Sequence, residues 1–501
     1  MTGRPPEAGQ AVAVGDVVLL PDHVAAVARD GRPVRMTDRA RASVAAARRV
    51  VEAAIDRAVP IYGVTTGFGS MSGTTVSREE QTAIQPKILR SHAVGSGDPL
   101  PDEVVRAAML LKAHTLAQGR SGVRAELVDH LIAFLNSGLC PLVPEQGSVG
   151  ASGDLAPLAH LALPLIGEGV LRTPQGQPLS AAEALRAQGL EPIALQAKEA
   201  SSLTNGTEVS LALAVLGLVD AERVVAAAEL ASALSFAAMR GHVEAFDQRI
   251  HRLRPHVGQA ETAARLEALV SPAAEARRPI HDVYTLRCIP QVIGPVRDSL
   301  RHARQIIEIE IGSVTDNPLV FAESDEIVSG GNFHGHALAI ACDSLKAAMA
   351  SLGVFCERRT ASLIDGSSSG LPHLLVADPS LNSGFMVAQY AAASIASENK
   401  TLSHPASVDS ISTAGGTEDY NSMSATAARH LRRVVLNVQR IVAIEMTCAA
   451  QALDFLEYPA APAIAAAHSR IRQVVGHVTE DALPVHQLID RVEALIQRGD
   501  V

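Results

Sequence analysis

SMSATAARHLRRVVLNVQRIVAIEMTCAAQALDFLEY, residues 422–458, contains neither Gly nor Pro, and its reading decides the fold. Leu431, Val435, Val438, Val442, Met446, Ala449, Leu453 and Leu456 recur at steps of three and four, the spacing of one face of an α-helix. Arg432, Arg433, Asn437 and Arg440 fall largely elsewhere around the turn. The stretch predicts a helix buried along one side and long enough to span a bundle. Tyr458-Pro459 and Pro462 break it.

Moving outward, similar stretches predict long helices over 208–239, 296–311, 336–364 and 385–402. Shorter helical patterns cover 37–59, 77–93 and 102–117, the first opened by the Thr37-Asp38 oxygens and closed by Pro60. A short β-like piece is expected at 17–20, and Gly-rich loops at 62–69 and 147–154. Strand-like alternation is otherwise scarce, and no short-period repeat points to a solenoid. The fold class is mostly α: a long parallel helix bundle carrying Gly-rich active-site loops at one end, with a smaller mixed N-terminal part. The expected division is 1–200 for that mixed region, 201–458 for the central bundle and 459–501 for a small C-terminal helical segment.

Composition narrows the function. Aromatics make up 3% of the 501 residues and Trp is absent, so the core is aliphatic, which suits close helix packing. A net charge of −10 without basic runs argues against nucleic acid as a partner. The longest weakly polar stretch noted, around 209–219, falls short of the ~20 apolar residues that cross a bilayer, so no membrane is expected. No signal-peptide pattern opens the chain. Cys140, Cys288, Cys342, Cys356 and Cys448 are widely spaced among apolar residues and read as reduced and structural. The expected setting is the cytoplasm. Several helices are more apolar than a monomer's surface allows, which points to an obligate oligomer.

The loop Gly147-Ser-Val-Gly-Ala-Ser-Gly-Asp-Leu-Ala-Pro-Leu-Ala-His160 admits three readings. A phosphate cradle lacks both the Gly-Lys-Ser/Thr ending and the Gly-x-Gly-x-x-Gly fingerprint. An ordinary tight connection is the second. In the third, a compressed turn brings the Gly153 nitrogen onto the Ala151 carbonyl carbon, because Gly has no Cβ to obstruct it. Cyclisation with loss of the Ser152 hydroxyl then makes an electrophile from backbone alone. His334-Gly-His336 has no nearby Cys or convergent carboxylate, so no metal is expected there.

With Tyr62-Gly-Val-Thr-Thr-Gly-Phe-Gly69, Ser91-His-Ala-Val-Gly95, Asn205-Gly-Thr207, Tyr284-Thr-Leu-Arg-Cys-Ile-Pro-Gln-Val292, Ser313-Val-Thr-Asp-Asn-Pro-Leu319, Gly330-Gly-Asn-Phe-His334, Asn382-Ser-Gly-Phe-Met386, Glu398-Asn-Lys400 and Pro405-Ala-Ser-Val-Asp-Ser410, that loop completes an ordered set. Over roughly residues 10–460 the chain resembles the aromatic amino acid ammonia-lyase and aminomutase family, and within it most resembles the histidine-acting branch. The resemblance implies a 4-methylidene-imidazol-5-one formed autocatalytically from Ala151-Ser152-Gly153, with no metal or dissociable cofactor. It implies a homotetramer whose active sites each draw on three subunits, and a small amino acid as substrate.

By the same resemblance Tyr62 is the general base and Arg287 grips the substrate carboxylate through its planar fork. Tyr284 and Asn205 neighbour the ring, and Phe333 lines the pocket. His92 and Glu418 face the substrate ring; a carboxylate beside an imidazole is a sensible partner and a poor one for bare phenyl. Departures surround them. His281, carried as a substrate-binding candidate, stands where the family has Gln. Gly312 replaces Asn, Thr417 and Glu208 each replace Gln, and Gln85-Pro86-Lys87 breaks the usual pattern. The implied reaction is L-histidine to urocanate and ammonia. The alternatives are a lyase or 2,3-aminomutase acting on another aromatic or heteroaromatic amino acid, and a non-catalytic helical assembly protein.

Overall fold

The computed structural model describes residues 10–57, 60–61, 66, 77–271, 281–380, 382–456, 460–479 and 484–501. The Tyr62 loop lies outside them. The chain forms two compact units, each assembled from three segments: Met1–Leu216, Gln305–Cys342 and Pro405–Arg429 in the first, Gly217–Arg304, Asp343–His404 and His430–Val501 in the second. The fold is mostly α, as expected, with short two- and three-stranded ribbons between helices.

In the first unit, the Asp102–Ala117 helix is buried on every side from Ala107 onward. The Pro21–Asp30 and Ala125–Ser137 helices pack on it. Its Arg106 donates to Val27 O, Ala28 O and Leu135 O, satisfying carbonyls near the ends of both neighbours. The Asp38–Asp56 helix starts as predicted, with Thr37 Oγ1 accepting from Ala40 N at 3.0 Å. The strand expected at 17–20 is not there. Gly15 (φ 110) turns the chain, Leu20 is the extended residue before the Pro21–Asp30 helix, and the strand is Val12–Val14, paired in parallel with Val34–Met36.

His114 of the central helix gives a pH prediction. Its Nδ1 accepts from Gly15 N at 3.2 Å, and burial pulls its pKa from 6.5 to about 4. The folded chain thus keeps the ring neutral while the unfolded chain protonates it. Stability is full above the unfolded value of ~6.5 and falls as pH drops towards 4, by at most ~3 kcal/mol. Urea melts at neutral pH and near pH 5 should show that loss, and His114→Gln should flatten it.

The part of the Ser424–Leu453 helix that belongs to the second unit, from His430 on, buries the predicted stripe from Leu431 to Leu453, but not along one side only. From Ile441 to Leu453 every residue is buried. Its Glu445 is wholly buried and paired with the equally buried Arg359 at 2.7 Å, with Ser235 Oγ donating at 2.8 Å. Asn437, placed away from the stripe by the sequence, is buried too, donating to Glu398 and Asn399. The helix expected at 296 begins earlier, at Ile289, with Pro295 inside it. Buried Ile289 and Ile293 hold this first stretch, and Gly294 lets its backbone rest on Gln259, where a Cβ would come within 2.5 Å.

One helix among the described residues, His336–Ile364, is long and apolar enough to cross a bilayer by length and composition. The sequence reading placed this helix but took 209–219 as the longest weakly polar stretch. It carries buried Asp343, Lys346 and Arg359, of which Lys346 pairs with Asp343 at 2.6 Å, as a core helix does. Much of the apolar surface from which assembly was expected is buried within the chain itself, including most of the Glu208–Ala238 helix.

Candidate active site

The loop before the Leu155–Ala162 helix is a tight turn built on left-handed backbone. Gly150, Ser152 and Gly153 have φ of 74°, 50° and 85°. Ser152 holds a conformation that costs an L-residue about 1–2 kcal/mol, which marks the turn as over-determined by its surroundings. Those surroundings are specific. Gly206 N donates to Ser152 O at 3.2 Å, and Asp154 N donates to Gly206 O at 2.7 Å. Asp154 itself is buried, accepting from Ser148 Oγ, Ser210 N and Ser210 Oγ at 2.7–2.8 Å. Burial raises its pKa, opposed by those hydrogen bonds.

Gly153 is required twice over, by its φ and by contact. A Cβ there would lie 2.0 Å from Gly206 O. Gly153→Ala should therefore cost about 3 kcal/mol through clash and left-handed strain combined. A lowered thermal midpoint is the check; an unchanged one means the turn yields more easily than its packing indicates.

Ala151 and Ser152 line a cavity of about 790 Å³, together with His92, Asn205, Phe333 and Glu418. Ser152 Oγ lies 3.4 Å from Glu418 Oε1. The other oxygen, Oε2, accepts from Thr413 Oγ1 at 2.7 Å. Asn421 Nδ2 donates to that same hydroxyl at 3.0 Å, so the threonine proton is left to point at the carboxylate. Donation thus runs from Asn421 through Thr413 to the Glu418 carboxylate, which accepts from Ser152 Oγ on its other oxygen. The loop bearing them is tied at its ends by Thr413 N donating to Glu418 O at 2.9 Å.

His92 ends the Arg78–His92 helix. Its Nδ1 lies 2.8 Å from Ile88 O, which only accepts, so Nδ1 donates there and is not the ring atom left for other partners. Asn205 Nδ2 donates to Asn317 O at 2.9 Å. On the same cavity wall His334 stacks on Tyr420, 6.0 Å between ring centres, with His334 Nε2 3.1 Å from Tyr420 O. Among the described residues no group of three His, Cys, Asp or Glu is placed to hold a metal ion.

Of the residues expected from sequence, the first unit thus gathers Ala151, Ser152, His92, Asn205, Phe333 and Glu418 around one cavity, with Gly153 lining a smaller one beside it. Tyr62 lies outside the described residues. His281, Tyr284 and Arg287 belong to the second unit. There Tyr284–Arg287 is a single helical turn whose two ends share a face: the Arg287 guanidinium lies 5.1 Å from the centre of the Tyr284 ring, itself 71% exposed. The sequence reading missed Thr413, Asn421 and Lys112. For Lys112 an unused signal existed, a lysine inside a largely apolar helical run.

Over residues 19–473 the chain matches the aromatic amino acid lyases, and it belongs to that family. It is 46% identical over 497 residues to the histidine ammonia-lyase of Symbiobacterium thermophilum, covering 98% of this chain and 97% of that one. Among solved structures it is similar to the histidine ammonia-lyase of Trypanosoma cruzi, with a TM-score of 0.92 at 38% identity over 98% of this chain and 94% of the other. It is also similar to the tyrosine aminomutase of Streptomyces globisporus, with a TM-score of 0.93 at 36% identity over 98% and 97%.

Proposed function

We propose that this protein is a carbon–nitrogen lyase that converts L-histidine to urocanate and ammonia, with an electrophile made from Ala151-Ser152-Gly153. The observation that carries the reading is the meeting of the Ser152 hydroxyl and the Glu418 carboxylate, 3.4 Å apart, in one cavity with His92. The histidine ammonia-lyases that resemble the chain over nearly its whole length support the same substrate.

The turn fits a 4-methylidene-imidazol-5-one. Ser152 and Gly153 are held in left-handed backbone, and Gly153 presses on Gly206 where any side chain would collide. That group, once formed, supplies an electrophilic exocyclic carbon that holds the substrate and makes ammonia a better leaving group. The chain's own residues bind, orient and deprotonate. Glu418, fixed by Thr413, accepts an N–H of the substrate imidazole, and His92 Nε2 offers a second polar contact to that ring. Arg287 pairs with the substrate carboxylate, and Tyr284, Asn205 and His281 supply hydrogen bonds around it. Phe333 gives the ring an apolar wall. Tyr62 takes the β-proton.

The protein works as a homotetramer in the cytoplasm, with each active site drawn from more than one copy. Support for assembly comes from the Met386–Leu402 helix, which exposes Val387 (58%) and Tyr390 (57%) on a face that also shows Ala391 and Ser394 and no charge before Glu398.

The test is a panel of L-histidine, L-tyrosine and L-phenylalanine followed by ultraviolet absorption of the conjugated acid and by ammonia release. Urocanate and ammonia in equal amounts from histidine is the expected result. The likeness to a tyrosine aminomutase favours one second reading, and a β-amino acid accumulating from the first turnovers would select it.

A further inference from the structure

Every residue from Ala107 to Ala117 of the Asp102–Ala117 helix is buried, and one of them is Lys112. Its side chain is 1% exposed and its ammonium meets three oxygens: Ser202 O at 3.2 Å, Asn205 O at 2.5 Å and Glu208 Oε2 at 2.9 Å. The ammonium donates to the two carbonyls, and Glu208 Oε2 stands beside it as counter-charge, with no hydrogen bond of its own among the described residues. Ser202 lies in the last turn of the Glu199–Thr204 helix and Asn205 is its C-cap, so Lys112 holds carbonyls that the helix end leaves without partners.

The next residue is Gly206, the floor under the Ser152 turn. On one side its peptide bonds to Ser152 O and Asp154 N and touches Gly153. On the other, a Cβ on Gly206 would meet Glu208 Oε2 at 2.5 Å and Thr315 Oγ1 at 2.8 Å. The floor is therefore clasped between the turn above and the Lys112–Glu208 pair below. A buried ion pair of this kind is weak as a source of stability, because desolvation offsets most of the attraction. What it provides here is a fixed place for the Asn205–Gly206 backbone.

We infer that Lys112, with Glu208, is a positioning residue for ring closure at Ala151-Ser152-Gly153, an inference that rests on the prosthetic group proposed above. In that closure the Gly153 nitrogen bonds to the Ala151 carbonyl carbon. The carbonyl oxygen leaves as water with the N–H hydrogens of Ser152 and Gly153. The Ser152 hydroxyl then leaves with its Cα hydrogen as a second water, and no oxidant or reductant is consumed. Closure needs Gly153 pressed towards Ala151, and a floor free to retreat by an ångström forfeits that approach.

The test is the double variant Lys112→Met/Glu208→Gln, which removes the cation and the charge it neutralises, so no buried ion is stranded. Full-length protein is unfolded, refolded and followed by intact mass, beginning from freshly translated chain so that the turn starts unmodified. Wild type loses two water molecules. The variant, folded by its thermal midpoint, should lose them about 10- to 100-fold more slowly, the rate equivalent of one charge-assisted hydrogen bond. If that variant does not fold, Lys112→Gln/Glu208→Gln, whose amide still donates to a carbonyl, should show a smaller slowing in the same assay. Either folded variant losing both waters at the wild-type rate overturns the inference and leaves the proposed function standing. A wild-type chain that keeps both waters overturns the two together.

Discussion

Replacing Ser152 with Ala leaves a folded protein whose release of ammonia from histidine falls by about 10³-fold or more, the scale seen when the atom that bonds to substrate is removed. The fold has little to lose. Ser152 already bears the left-handed strain at φ 50°, and among the described residues its hydroxyl donates to Glu418 alone. Urea unfolding should agree with wild type within about 1 kcal/mol. A second signal accompanies the first. The chain has no Trp and 5 Tyr, so an added conjugated ring is visible in the near ultraviolet, and the variant should lack that absorption. A variant that keeps both the absorption and the turnover would place the electrophile elsewhere.

Glu418→Gln should lower kcat/KM for histidine about 100-fold while changing the much slower reaction of phenylalanine little. Gln keeps the size of Glu and an oxygen to accept from Thr413 Oγ1, so the loop stays tied. What disappears is the charge. A hydrogen bond to a charged group is worth about 1.5–3 kcal/mol, and only a substrate with an N–H on its ring uses it. Thr413→Val keeps the charge and frees the carboxylate to turn, so its loss should be smaller, about tenfold, and Thr413→Ser should restore it. Equal losses on histidine and phenylalanine would assign Glu418 to the reaction itself rather than to the choice of ring.

The helices were legible where local rules act alone. A run without Gly or Pro and an apolar step of three and four gave the Ser424–Leu453 helix within a few residues, and His336–Ile364 to the residue. Errors came where distant packing overrode a local signal. The helix expected over 296–311 in fact begins at Ile289, where Gly258 and Gly294 let two backbones come close enough to hold the earlier turns. Asn437 looked solvent-facing because its partners, Glu398 and Asn399, lie nearly forty positions away in the chain.

The site divides the same way. The Ala151-Ser152-Gly153 chemistry follows from three adjacent residues. The meeting of Ser152 with Glu418 spans 266 positions and that of Lys112 with Asn205 spans 93, separations at which residue spacing carries no information. Only family likeness singled out Glu418, and neither spacing nor likeness singled out Lys112.

The loop that delivers Glu418 is stapled at its base and bare at its tip. A Cβ added at Gly415 or Gly416 would meet no heavy atom of the described residues within 4 Å, though their left-handed φ of 64° and 91° strains any side chain, while Ala414 and Thr417 form part of the cavity wall. Anchorage and wall are thus separable, which gives mutation a place to experiment. Changes at Thr417, whose backbone is ordinary right-handed, can reshape what the cavity admits without loosening the carboxylate that selects the ring, so new substrate preferences are most cheaply reached through this position.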